Sequence, residues 1–381
     1  MQEPFANVSS PGWPGYNAGM RIAEIAPASL TVPPQGYGGI ELVVALLADG
    51  LVDKGHDVTL FASGGSRTRA RLISPLPDAP GIDNMEAPIE VSHTLEAYGR
   101  SEEFDVIHDH TLLGPAVGAM LDGNPPIIHT LHGPWTKPLR RYYGMLDERV
   151  DLVAISHTQQ RHNPEIRYGG MVYNGIDLGS YPLREDKEDY LVFLGRSSPQ
   201  KGPGLAVDVA KQVGMPLRMA VKISEPEERR HWEEHVVPRM SGNEDVHENA
   251  SHDEKVEILR GGRATLFPIQ WEEPFGLVMI ESMACGTPVL AFPRGAVLEV
   301  IDDGVSGILV EEDGDEAAGV EAMADAIERV GEITPAACRK RVEENFSARS
   351  MLTGYEEVFE QALDGRRARA GTAGAGARGR R

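Results

Sequence analysis

Residues 272–288 read Glu-Glu-Pro-Phe-Gly-Leu-Val-Met-Ile-Glu-Ser-Met-Ala-Cys-Gly-Thr-Pro. Pro274 and Gly276 suit a turn that opens a helix; Leu277, Ile280 and Ala284 recur at helical spacing, and Gly286 stops it. An apolar run, 264–268, precedes this stretch and another, 288–291, follows it. Strand, loop, helix, turn and strand in that order make the repeating unit of a parallel sheet covered by helices. The start of such a helix offers unpaired N–H donors and the positive end of its dipole. Glu273 lies in the loop and Glu281 in the second turn of the helix. Each carboxylate can accept two O–H bonds from a sugar or ribose diol. Either one alone is equally explained as an acid gathered near a helix start by the dipole.

Outward from this unit the same alternation continues in both directions. Towards the N-terminus, strand-like runs occupy 21–26, 57–62, 105–108, 127–131 and 151–155, and Ile40, Val43, Val44, Leu47 and Leu51 fall at helical spacing. The pattern pauses over the polar segment 174–187, then restarts with runs at 190–194, 217–222, 264–268, 288–291 and 307–310. One break in two sets of alternation predicts two doubly wound α/β domains, 20–175 and 188–346, and 381 residues suit more than one domain. Helical stretches follow at 315–330, 335–346 and 347–362. Residues 1–19, rich in Pro, Gly, Ser and Asn, read as an unordered arm, and the Gly-Ala-Arg segment 365–381 reads as an unordered basic tail.

The formal net charge is -21, although six arginines fall in the last sixteen residues. So acidic a body repels a phosphate backbone, which argues against nucleic acid as a partner. Any anionic ligand must be held by a local cluster of donors. Cys285 and Cys338 have neither disulfide nor zinc spacing, which fits a reducing cytoplasm. No run of eighteen apolar residues spans a membrane, which leaves peripheral contact only.

In doubly wound sheets ligands sit beyond the carboxyl ends of the strands, so the loops there matter most. Gly195-Arg196-Ser197-Ser198-Pro199-Gln200-Lys201-Gly202 follows the run 190–194. Arg196 and Lys201 there are either solvated surface cations or fixed charges for a diphosphate leaving group. Gly38 and Gly39, in Gly36-Tyr37-Gly38-Gly39-Ile40-Glu41, open the first helix and form either an anion site or a plain tight turn. They match neither the dinucleotide fingerprint nor a Walker loop, which speaks against a dehydrogenase. Thr130-Leu131-His132-Gly133-Pro134-Trp135 ends another strand; Trp135 and Lys137 are candidates for lining an acceptor pocket. His108-Asp109-His110 would tempt a metal assignment, but successive strand residues point to alternate faces, so a packed strand end is favoured. The one Asp-x-Asp triplet, Asp313-Gly314-Asp315, starts a late helix and suits capping better than a divalent ion.

Taken together, residues 20–362 resemble glycosyltransferase family 4, whose marker is two glutamates separated by seven residues, here Glu273 and Glu281. The loop at 195–202 is similar to the family's Gly-Arg-x-x-Pro-x-Lys-Gly segment. The resemblance implies the GT-B architecture: two Rossmann-like domains facing across a cleft, with a C-terminal helix, 347–364, crossing back to the first. It implies that the first domain serves the acceptor and the second the donor. It places Glu273 at the donor sugar and Glu281 at the ribose. The N–H groups of Phe275, Gly276 and Leu277 meet sugar hydroxyls or phosphate, and Arg196 and Lys201 hold the diphosphate. Gly38 and Gly39 lie beside the phosphates, and His132 lies near the sugar's primary hydroxyl, so that His132 and Glu273 stand at the reacting centre. The activity implied is retaining transfer from a nucleotide diphosphate sugar, UDP-glucose first among UDP-sugars, to a hydroxyl of a glycan, lipid or small metabolite. No cofactor and no metal are expected; the nucleotide sugar is a substrate. A sugar-nucleotide epimerase or phosphorylase of the same architecture, or a noncatalytic sugar-nucleotide-binding protein, would carry the same donor residues.

Two stretches depart from the family. Residues 243–255 stand where relatives have a Gly-containing turn near the base, and Phe346-Ser347-Ala348-Arg349 stands where a Trp is frequent. No pair of catalytic carboxylates is evident, so no general base is assigned and the leaving phosphate is expected to assist the acceptor hydroxyl.

Overall fold

The computed structural model describes residues 19–36, 38–146, 148–312 and 315–377. Most of the expected N-terminal arm, residues 1–18, lies outside the described residues, as do Tyr37, Asp147, Asp313, Gly314 and 378–381. The first domain is built on β1 (Arg21–Ile25), β2 (Asp57–Phe61), β3 (Arg71–Ile73), β4 (Val106–Asp109), β5 (Ile127–Leu131), β6 (Asp151–Ala154) and β7 (Tyr168–Met171). The second is built on β8 (Leu191–Arg196), β9 (Leu217–Lys222), β10 (Glu244–Glu248), β11 (Ala264–Phe267), β12 (Val289–Ala291) and β13 (Gly307–Leu309).

Every strand pair is parallel. The strand orders are β3-β2-β1-β4-β5-β6-β7 and β10-β9-β8-β11-β12-β13. Helices cover both faces of such sheets, which is why the central strands read as unbroken apolar runs. The three strands absent from the sequence reading, β3, β7 and β10, are sheet edges with partly exposed residues, so no apolar run marks them.

The strand order reverses between β1 and β4 in one sheet and between β8 and β11 in the other. A crevice opens at each reversal, because neighbouring crossovers leave on opposite faces. Two crevices facing each other give the GT-B arrangement.

The chain crosses between the domains twice, side by side. Ile176 bridges Ser347 in parallel, with Ile176 N–H donating to the Phe346 carbonyl at 3.1 Å and Ala348 N–H to the Ile176 carbonyl at 2.9 Å. A Cβ at Gly175 would lie 2.4 Å from the Ser347 carbonyl oxygen, so only glycine allows this approach. The final helix, Ala348–Ala377, then returns to the first domain. Its Met351, Leu352, Tyr355, Val358 and Phe359 join Ile22, Val43, Leu47 and Val106 in one core. Glu356 on that helix pairs with Lys54 and, at 3.0 Å, with His56. The helix runs past Asp364 to Ala377, where an unordered tail is expected from composition. Lack of apolar residues removes packing, but Ala and Arg are strong helix formers and extend a helix already nucleated. Phe346, standing where a Trp is frequent, packs edge-on against Phe275 at 5.8 Å and Tyr173 at 5.3 Å. Among the described residues no helix is long and apolar enough to cross a membrane.

Candidate active site in the interdomain cleft

A cavity of about 1310 Å³ lies between the carboxyl ends of the two sheets. The loops after β1, β5, β8, β9 and β11 all reach it, as the two strand-order reversals require. Gly38, Gly39, His132, Arg196, Lys201, Glu273, Phe275, Gly276, Leu277 and Glu281 share this single lining.

Helix Leu277–Ala284 begins at Gly276, whose φ of 86° is left-handed and open to glycine at no cost. No side chain caps the helix, so its first N–H groups remain available at the cavity wall. Leu277 packs against both the second-domain core and the first-domain core, and so pins this N-terminus at the junction. One helical turn on, Glu281 is buried and accepts from Lys255 Nζ and Tyr181 OH, both at 2.7 Å. Burial, then the Glu281 charge, pushes the Tyr181 phenol far above its ordinary value, so it stays protonated and donates. Glu273, also buried, accepts from Lys201 Nζ at 2.5 Å and from Trp271 Nε1 at 2.8 Å.

Three cations collect at the ends of β8 and β9. Arg196 donates to Glu228 at 2.5 Å and to Glu225 at 3.0 Å. Burial works against the Glu228 charge, but hydrogen bonds from Ser224 and Arg196 outweigh it and hold its carboxyl below the usual range. Lys201 lies over the Trp271 ring at 5.0 Å. Lys222, the last residue of β9, is buried; burial, then the Arg196 charge, lowers its pKa. From the first domain, Glu41 faces the same cavity with its carboxyl raised by burial. Arg196 and Lys201 are thus each paired with a carboxylate in a chain whose overall charge is strongly negative.

The segment 243–255 does supply a turn at the cavity wall. Asn249 adopts φ 52° and holds Ile223 from both sides, its Oδ1 accepting from Ile223 N–H and its Nδ2 donating to the Ile223 carbonyl, each at 3.1 Å. Asn is the side chain best able to stand in for glycine at positive φ.

On the first-domain side a second cavity of about 280 Å³ shares His132, Gly133, Pro134 and Ile40 with the first. Trp135 lines it, with its indole N–H donating to the Gln159 carbonyl at 2.8 Å. Lys137 is exposed and lines neither cavity, so the structure does not bring it to the site. It begins helix Lys137–Tyr143, whose first turn points it outwards. His108 and His110 are two apart on the strand and its end, hence on one face, and both meet the buried Glu24 of β1 at 3.1 Å. Alternation therefore separates only Asp109 from the group. The ligand-type atoms of Glu24, His108 and His110 lie within 4.8 Å of one another, and hydrogen bonds occupy all three side chains. Asp315 is a helix cap, accepting from Ala318 N–H at 2.8 Å. The rest of its triplet lies outside the described residues.

Family profiles match the two halves of the chain: "Glycosyltransferase Family 4" over residues 37–180 and "Glycosyl transferases group 1" over residues 181–345. The chain belongs to glycosyltransferase family 4. The D-inositol 3-phosphate glycosyltransferase of Acidothermus cellulolyticus is 28% identical, over 76% of this chain and 79% of that one. Among solved structures, AviGT4, a glycosyltransferase involved in avilamycin A biosynthesis, aligns with a TM-score of 0.69 and 26% identity, over 91% of this chain and 98% of that one. Anabaena Alr3699/HepE, solved in complex with UDP-glucose, shares the fold at 18% identity and a TM-score of 0.69, over 90% of this chain and 99% of its own.

Several residues of the transferase's cleft carry no sequence signal strong enough to single them out. Lys222 ends a strand, so the rule that ligands sit at carboxyl ends could have found it. Lys255 and Tyr181 come from segments far apart in the chain and come together beside Glu281, where Lys255 Nζ also donates to the Tyr181 hydroxyl at 3.2 Å. Glu24 sits within an apolar run and has no exposed surface.

Proposed function

We propose that this family 4 transferase is a retaining, metal-independent hexosyltransferase using a UDP-sugar, UDP-glucose first, and a hydroxyl acceptor. One observation carries the proposal. Two buried carboxylates, Glu273 and Glu281, flank an uncapped helix N-terminus in the same cavity as Arg196, Lys201 and Lys222. In this assignment Glu281 accepts from the ribose diol, and the free N–H groups at Phe275, Gly276 and Leu277 meet the donor. Arg196 and Lys201 take the charge that develops on the diphosphate as its bond to the sugar breaks, the work a divalent ion would otherwise do. Gly38 and Gly39 bring the first domain's backbone to the phosphates.

Glu273 is placed at the sugar and His132 where donor and acceptor cavities meet. Burial, then neighbouring His129 and His108, pull the His132 imidazole down to about 3, which suits a neutral ring that hydrogen-bonds sugar hydroxyls. The departing phosphate takes the acceptor's proton on the face it leaves, which gives retention without a general base. A second cavity opening beside the donor cleft favours transfer over epimerisation, which needs no acceptor. That cavity is lined by Met85, Leu112, Leu139, Trp135 and Tyr143 together with His110, His129 and His132, and Glu90 is its one carboxylate. The two buried, unpaired cysteines, with thiols pushed up to about 12 by burial, fit a reducing cytoplasm.

Calorimetry with UDP, GDP and ADP, with and without EDTA, tests the donor assignment. UDP is expected to bind in the micromolar range regardless of EDTA, and Glu281→Gln to weaken it by about tenfold, roughly 1.4 kcal/mol. Tighter binding of another nucleotide overturns the UDP assignment, and no binding to folded protein overturns the site.

A further inference from the structure

A chain of buried polar groups runs through the first domain from the final helix to the cleft. Tyr355 OH meets Thr130 Oγ1 at 2.8 Å, and Thr130 Oγ1 meets His108 Nε2 at 2.8 Å. His108 Nδ1 lies 3.1 Å from Glu24 Oε1, and Glu24 Oε2 lies 3.1 Å from His110 Nε2. His110 Nδ1 then lies 2.9 Å from His132 Nε2. Glu24 and His108 are register partners on adjacent strands, so their side chains leave the sheet on the same face. Glu24, His108 and His110 are buried, whereas His132 is partly exposed and lines both cavities.

The directions of these bonds are constrained. Burial raises the Glu24 carboxyl, while the hydrogen bond and charge of His110 lower it; as a carboxylate it only accepts, so it takes one N–H from each imidazole. His110 then has its proton on Nε2, and its Nδ1 carries a lone pair. That lone pair must be met by an N–H on His132 Nε2. His132 is left with an unprotonated Nδ1, which no hydrogen bond reaches among the described residues. The other arm runs the same way, Tyr355 to Thr130 to His108 to Glu24, and closes the chain without a polar clash.

We propose that Glu24 is a positioning residue for the transfer reaction. Acting through His110, it fixes the tautomer of His132 and presents His132 to the cleft as a hydrogen-bond acceptor. A carboxylate that orients an imidazole through its far nitrogen is a general device for setting which ring nitrogen is free to act. Here the device has one more imidazole in line, and the carboxylate lies within β1, an inner strand of the sheet. His132 thereby accepts from a hydroxyl of the donor sugar or of the acceptor. The kinetic consequence rests on the proposed transfer reaction; the tautomer does not.

Histidine-selective ¹⁵N labelling of the full chain reads the protonation of each ring nitrogen. The His132 signals, assigned by their loss in His132→Gln, are expected to show a protonated Nε2 and a bare Nδ1 between about pH 6 and 8. A ring protonated on Nδ1, or a mixture, overturns the proposal, and this wild-type measurement needs neither turnover nor a variant. In His110→Phe the His132 tautomer is expected to become mixed; an unchanged tautomer in folded variant overturns it. With a nucleotide-sugar donor, His110→Phe should lower kcat at least about tenfold with donor KM within about twofold, and have no further effect in a His132→Gln background. An equal fall in that background marks general loosening of the domain and overturns the proposal. One equivalent of tightly held transition metal in the purified protein also overturns it, because metal would occupy the same lone pairs. Absence of turnover with every nucleotide sugar would sink the transferase assignment while leaving the tautomer result to be read on its own.

Discussion

The Lys201 ammonium sits between the Glu273 carboxylate and the faces of Trp271 and Phe267. Arg196 is held in the same way by Glu225 and Glu228. The cations are thus positioned before any donor arrives, and a diphosphate must compete with carboxylates for them. Lys201→Ala is expected to lower kcat by about 10²–10³, roughly 2.7–4 kcal/mol, because the charge it meets grows in the transition state. Its melting temperature should fall as well, since the pair is 18% and 8% exposed and removing the ammonium leaves the buried Glu273 carboxylate without its cation. Steady-state kinetics and thermal melting on one preparation check both halves; a large loss of stability with unchanged kcat would contradict it. At this scale much was legible in the chain itself. Glu273, Glu281, Arg196 and Lys201 sit at fixed spacings beside glycine and proline, and the fold brings them to one cavity. Lys137 failed because nearness in sequence to Trp135 says nothing about which way a helix's first residue points. Glu24 was hidden because one acid in an apolar strand leaves the run intact.

Helix Leu277–Ala284 depends on its first junction. Gly276 has φ 86°, and a Cβ there would lie 2.6 Å from Met279 Cε. Gly276→Ala is expected to cost about 1–2 kcal/mol of stability for the left-handed backbone alone. It should also weaken nucleotide binding, because the N-terminal N–H groups shift with the turn. Denaturant unfolding and calorimetry on the variant test this, and equal stability with equal affinity would count against the junction. Elements with a covered face were readable to within a residue or so, as β5 and β9 show. Edge strands were not, because β10 reads Glu-Asp-Val-His-Glu and is marked only by its partner β9. The turn after it was obscured for a related reason: Asn249 takes the backbone conformation expected of a glycine.

At the scale of the molecule, buried neutral histidines weaken the fold in acid, while Asp109, raised to about 7 by burial, works the other way. Burial lowers His93 to about 4 and His129 to about 3, against an ordinary value of 6.5 in the unfolded chain. Below about pH 6.5 the unfolded state therefore binds protons that the folded state refuses, and stability falls as pH drops towards 4. Each such histidine contributes a slope of about 1.4 kcal/mol per pH unit in that window. Urea unfolding at several pH values should show this decline, and His93→Gln should flatten it by about one proton. A slope indifferent to His93 would mean that the ring protonates in place. The two-domain plan was legible from the single pause near 174–187, because connecting helices impose a rhythm that a linker breaks.

The final helix donates Tyr355, Val358 and Phe359 to the core beneath β1 and β4. During synthesis the chain emerges from its N-terminus, so the first sheet is exposed long before those side chains exist. The domain made first is therefore the domain completed last. Until residues 351–359 have been made and have left the ribosome, one face of that sheet has only a partial cover, and a nascent chain stalled short of residue 350 would leave it exposed to chaperones and proteases.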